Sequence, residues 1–222
     1  MRNMYIAVIE KRGYMKYISH LDMVRLFRNV FKITGIKLAY SRGFNPHPKL
    51  SFALPLPLGY GSSCEALEFE VNCEIAPAEI PGKLNAALID GVRVISCEKS
   101  EAGKSFASRV AAASYEICFP APLAALTDFE KAAGKFMKLE TITVEKKNKK
   151  TGEKKEVDIK KMIKELSCKK VDDNIVLYTT LDAGSVSNLS PDLLISAFIS
   201  FTGIEAEREQ IEVKRTEIIL CD

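Results

Sequence analysis

Apolar and polar positions along this chain fall into strand and helix patterns that recur in the same order in its two halves. Residues 5–9 form an apolar run of strand length, and residues 14–18 read as its continuation past Gly13. Ser19 then predicts a helix N-cap, with Asp22 three residues on as an acidic variant of the capping box. Leu21, Val24, Phe27, Val30 and Phe31 recur at helical spacing to about Thr34, and Gly35 stands where a helix ends. Residues 36–40 predict a second strand. Residues 53–61 alternate Leu with Pro or Gly, which excludes a sheet interior and predicts an extended connection. Leu67, Phe69 and Val71 alternate with polar residues through 64–72 as a half-buried strand does. A short helix over 77–88, opened by Pro77, and a strand over 92–97 complete the first half.

The second half follows a similar order. Residues 111–119 predict a strand and 123–137 a helix; residues 142–145 and 154–157 predict a hairpin that turns at 148–152. Asp158 predicts a helix cap with the helix running to Leu166, residues 175–181 a strand, residues 190–201 a helix opened by Ser190-Pro191, and residues 211–220 a closing strand. Strand, helix, strand, strand, helix, strand is the order of the split βαβ arrangement. The expectation is therefore an α+β protein of two ferredoxin-like (βαββαβ) halves packed side by side. Their expected bounds are 1–98 and 109–222, with the junction near 99–108. The two halves share pattern order without sequence identity.

At 222 residues with 47% apolar composition, the chain can bury one large core or two smaller ones. No apolar run approaches the ~20 residues that span a bilayer. The opening residues 1–5 pass straight into a strand-like run unlike a signal peptide, so a non-membrane, cytoplasmic protein is expected. The six cysteines are scattered without CxxC spacing, which argues against zinc, iron–sulfur or disulfide frameworks and fits buried spectators in a reducing compartment. No metal and no cofactor are expected of this chain.

Net charge changes the picture more than composition does. The overall +3 divides into +8 over residues 1–50, −5 over 51–145, +7 over 146–170 and −7 over 171–222. Two concentrated basic blocks, one of them the lysine-rich hairpin, point to a phosphate-bearing partner, of which nucleic acid is the largest class. The ordinary alternative for the hairpin is a solvated charged face.

The most specialised stretch lies inside the first block. Residues 41–52 read Ser-Arg-Gly-Phe-Asn-Pro-His-Pro-Lys-Leu-Ser-Phe, and this run is expected to be neither turn nor strand. Pro46 and Pro48 fix two φ angles and push Asn45 and His47 toward extended backbone, and Gly43 permits a turn. Two readings stand: a rigid crossover loop, or a loop that contacts a ligand. On the second, Arg42 and Lys49 meet phosphate together with Arg25 and Arg28 of the preceding helix. Asn45 and His47 meet base or ribose, and Phe44 stacks. Ser19, His20, Asp22, Ser41, Gly43 and Ser51 support the loop. Tyr40, Phe52 and Tyr60 also interleave with the cations, and core burial is the commoner fate of such residues. His20 lies in the first helical turn, where the helix dipole disfavours imidazolium, so it reads either as a capping residue or as a neutral base. Neutral histidines beside cations also suit metal-free RNA cleavage by 2′-hydroxyl attack, so whether the chain is an enzyme stays open. No P-loop, GxGxxG, HExxH or nucleophile elbow is present.

Residues 18–22 (Ile-Ser-His-Leu-Asp), the run 39–52 and the Leu-Pro-Leu-Pro-Leu-Gly at 54–59 resemble the radical-SAM-associated family known as the DUF2344 domain. The resemblance is dense over about forty residues and diffuse beyond residue 100. It implies a radical SAM partner with a cobalamin-binding-like region. This chain lacks the CxxxCxxC of an iron–sulfur cluster, so it looks like the stand-alone form. The expected function is accordingly an RNA-binding accessory protein serving a radical SAM enzyme in tRNA or rRNA modification. The alternatives are a metal-independent endoribonuclease and a docking subunit that touches no RNA.

Overall fold

The computed structural model describes residues 3–100, 105–125, 127–147 and 154–221 as an α+β protein in two compact units. The first unit comprises Met1–Val110 and Arg215–Asp222, the second Ala111–Lys214. The first unit thus takes in Arg215–Asp222 from the end of the chain.

In the first unit, β1 (Asn3–Lys11) leads through a 3-10 turn, Gly13–Tyr17, into α1 (His20–Ile33). After the Pro-braced segment come β2 (Leu50–Phe52) and β3 (Gly61–Val71), then α2 (Ile80–Asn85) and β4 (Val92–Lys99). The strands stand in the order β4-β1-β3, with β2 also on β3, and each of these pairs is antiparallel. A short helix α3 (Phe106–Arg109) comes next, so the expected junction contains structure on both sides of residues 101–104, which lie outside the described residues.

The core of this unit is aromatic. Tyr5 stacks on Phe69 at 5.6 Å, Phe31 lies against Phe69 at 4.8 Å, and Phe27 meets Phe52 edge-on at 5.8 Å. Rings bury much apolar area each, and such tilted pairs add to it. The Tyr5 hydroxyl does not go unsatisfied. It donates to the Ile75 carbonyl at 2.8 Å and accepts from the Ile75 N–H at 3.0 Å.

The strand expected over 14–18 is a 3-10 turn because Gly13 takes a positive φ of 59° and ends the extended run. Met15 in that turn packs where Gly91, at φ +85°, leaves room: an added Cβ would stand 2.7 Å from Met15 Cγ and 2.8 Å from the Arg12 carbonyl oxygen. Gly91→Ala is therefore expected to destabilise the fold by about 2 kcal/mol or more, combining a left-handed backbone with a clash against main chain. A urea midpoint within error of wild type would refute this.

In the second unit, β5 (Val110–Phe119) is followed by α4 (Ala121–Ala124) and α5 (Phe129–Met137), then the hairpin β6 (Thr143–Lys147) and β7 (Lys154–Asp158). After these come β8 (Ile163–Val171), β9 (Asn174–Asp182) and α6 (Pro191–Thr202); the closing strand β10 (Glu212–Leu220) starts in this unit and from Arg215 onward is counted with the first. Antiparallel pairing sets β9 between β5 and β8. Phe119, Phe129, Phe136 and Phe198 fill the core, with ring centroids 5.0 to 6.2 Å apart along the cluster.

Two helix expectations change here. The single helix over 123–137 is interrupted, because the Asp128 carboxylate accepts the Lys131 N–H at 3.1 Å and starts α5 afresh. The helix expected from Asp158 to Leu166 is a 3-10 turn, Lys160–Met162, leading into β8. Asp158 does accept N–H groups, from Lys160 at 2.9 Å and from Ile142 at 3.0 Å, but the residues beyond pair with β9 instead of propagating a helix. Pairing on a formed strand outweighs weak local propensity. The turn expected at 148–152 lies outside the described residues.

Candidate anion-binding groove

Ser19 accepts the Asp22 N–H at 3.2 Å and donates its hydroxyl to the Asp22 carboxylate at 2.7 Å, so α1 starts where its sequence predicts. Those bonds, the one from the Ser19 hydroxyl above all, together with the Arg25 guanidinium 2.9 Å away, hold the Asp22 carboxyl below its ordinary range. Its contribution to stability is complete above the ordinary value and is lost as pH falls through the lowered one. Ser19→Ala is expected to cost about 1 kcal/mol and to move the Asp22 titration midpoint upward, measured by carboxyl carbon NMR. An unmoved midpoint would show that Ser19 does not set it. His20 is the first residue of α1 and packs edge-on against Phe52 at 5.8 Å.

From Gly35 (φ 72°) the chain turns back along β3. Asn72 N–H bonds to the Lys37 carbonyl at 3.0 Å, and Ala39 N–H to the Glu70 carbonyl at 2.7 Å. Leu38 bridges Val71, and Tyr40 bridges Pro48. The strand expected over 36–40 is thus a run of isolated bridges, since Pro48 has no N–H to extend a ladder.

Those same contacts close the special stretch into a hairpin-like loop. Ser41 N–H bonds to the His47 carbonyl at 2.8 Å, the Ser41 hydroxyl accepts the His47 N–H at 2.9 Å, and Lys49 N–H bonds to the Ala39 carbonyl at 2.8 Å. Between these ties Gly43 takes φ 132° and Phe44 is fully exposed. The run expected to be neither turn nor strand is therefore a tied loop that ends in β2. Arg42, Asn45 and His47 are exposed on the loop, while Ser51 is exposed on β2. Phe52 and Tyr60 are buried, as aromatics usually are, whereas Phe44 and Tyr40 are not.

Beside this loop, between the second half of α1 and residues 35–40, lies a groove of about 680 Å³. Phe31, Ile36 and Leu38 form its floor. Arg28, Lys32 and Lys37 line it with cationic side chains, and all three are exposed. Among the described residues none of the three makes an ion pair or side-chain hydrogen bond. Asn29 and Asn72 add unclaimed carboxamides, and Tyr40, 57% exposed, lines the side nearest the loop. Like charges gathered over an apolar floor, without acids to neutralise them, leave a positive concavity.

The seven residues expected to bind do not all share this site. Arg28 lines the groove. Arg42, Phe44, Asn45 and His47 stand on the adjoining loop. Arg25 pairs with Asp22, an exposed bridge of little energetic weight. Lys49 is held 2.7 Å from the half-buried Glu70 and faces a smaller hollow with Ser51 and Glu68. Lys37, Asn29 and Asn72 were missed by sequence reasoning; only the placement of residues 35–40 and of the end of β3 against α1 brings them in.

A second polar cluster lies under the Leu-Pro connection. Lys11 shares the inward face of β1 with Tyr5, Ala7 and Ile9 and is 2% exposed. Its ammonium donates to the Ile18 carbonyl at 3.0 Å and the Lys16 carbonyl at 3.4 Å; burial lowers its pKa, opposed by Glu65. Arg215 and Glu65, both almost fully buried, meet at 2.9 Å, and the guanidinium also donates to the Leu54 carbonyl at 2.8 Å and the Pro55 carbonyl at 3.4 Å.

The cysteines are not the buried set that was expected: Cys73 and Cys221 are exposed and the others half-buried. Burial pushes the Cys64, Cys97 and Cys168 thiols up to about 11, so they stay protonated and unreactive at neutral pH. Among the described residues no three His, Cys, Asp or Glu side chains gather as metal ligands, and no helix is long and apolar enough to cross a membrane.

The family model described as an uncharacterised protein conserved in bacteria (DUF2344) matches residues 5–191. No curated protein matches the chain. A solved structure, that of an unknown protein from Galdieria sulphuraria, aligns over 99% of this chain and 100% of its own at 9% identity with a TM-score of 0.29, a similarity too slight to argue from.

Proposed function

The chain belongs to the DUF2344 family of proteins conserved in bacteria, and from that premise we propose that it is a cytoplasmic RNA-binding accessory protein working with a radical SAM enzyme in tRNA or rRNA modification. The observation that carries RNA binding is the groove in which Arg28, Lys32 and Lys37 stand without acidic partners among the described residues, beside a loop that exposes Arg42, Asn45 and His47. Phosphate contacts need cations that are not already neutralised, and these are such cations. Lys49 and Arg25, which are paired, take a lesser part in this reading. In the second unit, Lys146, Lys154 and Lys155 supply a further basic surface, with Lys154 paired to Glu145 at 2.7 Å. The radical SAM partner rests on the family resemblance in residues 18–59.

Each half is read as ferredoxin-like. In the first, the antiparallel pairing of β1 with β4 and β3, with β2 also on β3 and α1 and α2 as the connecting helices, supports this reading. In the second, β5, α5, β8, β9 and α6 keep the same succession with the β6–β7 hairpin inserted.

A docking role is the second reading. It is favoured by Phe44, fully exposed at the tip of a loop tied at both ends, as an anchor for a partner protein would be. Binding of labelled tRNA and rRNA fragments across a salt series separates the two. Affinity that falls steeply with salt supports the RNA reading, and its absence at low salt refutes it. Co-purification with the radical SAM protein that survives nuclease and is lost in Phe44→Ala would support docking.

A further inference from the structure

Resting on the RNA-binding reading, we infer that the groove between α1 and residues 35–40 is a subsite for one unpaired nucleotide of an RNA strand, with phosphate at its cationic rim and the base over its apolar floor. A site for phosphate alone needs cations and N–H donors; it has no use for an apolar floor. Here Phe31, Ile36 and Leu38 present carbon surface beneath Arg28, Lys32 and Lys37, so the lining changes from charged rim to apolar base as a nucleotide changes from phosphate to ring. The volume, about 680 Å³, lies in the range of sites that enclose small organic ligands. Tyr40 lines one side with an exposed ring on which a base can stack, and Pro48 continues that apolar wall.

The polar groups at the groove fit the same ligand. Asn29 and Asn72 each carry a carboxamide with donor and acceptor, and neither makes a side-chain hydrogen bond among the described residues. A carboxamide can meet the edge of a base with paired hydrogen bonds, but only an edge not already used in Watson–Crick pairing. A duplex keeps its bases stacked and paired, so it has no free base face to lay on the apolar floor. The substrate class is therefore single-stranded RNA, or a loop or end with a splayed base.

The test uses the full chain and three RNAs of one sequence: a short single strand, the same strand with one abasic position, and the blunt duplex. The single strand is expected to bind at least about tenfold more tightly than either of the others, in keeping with the stacking of one base. Tyr40→Ala is expected to remove that advantage while leaving the abasic strand unchanged, and Tyr40→Phe to keep it; the two variants differ in stacking surface at an exposed position, so loss of fold does not explain a difference between them. Equal binding of abasic and intact strands, or equal weakening of both by Tyr40→Ala, overturns the subsite while RNA binding stands. A free nucleoside monophosphate that binds as tightly as the strand overturns its assignment to RNA. If no RNA binds at all, the subsite and the RNA-binding reading fall together.

Discussion

Arg215→Ala is expected to lower the free energy of unfolding by about 3–5 kcal/mol, the usual cost of removing one member of a buried ion pair. The Arg215 and Glu65 side chains are 1% and 4% exposed and meet at 2.9 Å, so truncation leaves a carboxylate inside the protein with its cationic partner gone. The loss reaches further than the pair. The guanidinium also donates to the carbonyls of Leu54 and Pro55, and those two acceptors lose their donor together. The double variant Glu65→Leu with Arg215→Met is expected to recover most of the loss, because an apolar pair of similar volume does not incur desolvation of charge. Urea denaturation of the wild type, Arg215→Ala and the double variant measures both the loss and the recovery. A loss under about 1 kcal/mol for Arg215→Ala would mean that the pair is solvated in solution.

The triple neutralisation Arg28→Gln, Lys32→Gln, Lys37→Gln is expected to weaken RNA binding by on the order of a hundredfold near physiological salt, at about 1 kcal/mol per phosphate contact. The slope of log affinity against log salt should become shallower by about 2–3, since each phosphate neutralised releases close to one counterion. These three side chains are exposed and make no ion pair among the described residues, so the substitutions should leave stability within about 0.5 kcal/mol. That separation makes the result readable. Unchanged affinity and slope in the triple variant would remove the groove from the binding surface, whatever the loop does.

Elements specified by near neighbours were legible from the residues alone. The start of α1 is written in Ser19 and Asp22, and its end in Gly35; β3 shows in the alternation of Leu67, Phe69 and Val71. The unusual character of residues 41–52 was equally plain. Its form was not, because the ties that make it a loop run between Ser41 and His47 and between Ala39 and Lys49, and no local propensity names those partners. The helix expected over 158–166 fails for a related reason: Asp158 offers a cap, but after one 3-10 turn pairing with β9 makes the chain from Ile163 a strand.

Composition and local pattern were enough to settle the α+β class, the placing of most helices and strands, and the concentration of positive charge in residues 1–50, because each depends on residues a few positions apart or on simple counting. Only the folded chain decided which of those cations stay available. Lys49 and Glu70 are 21 positions apart and Glu65 and Arg215 are 150 apart, while Arg28, Lys32 and Lys37 surround a hollow and pair with no acid among the described residues. Coulomb attraction and hydrogen bonding act over a few ångströms of space, and which residues come that close is a property of strand register and packing.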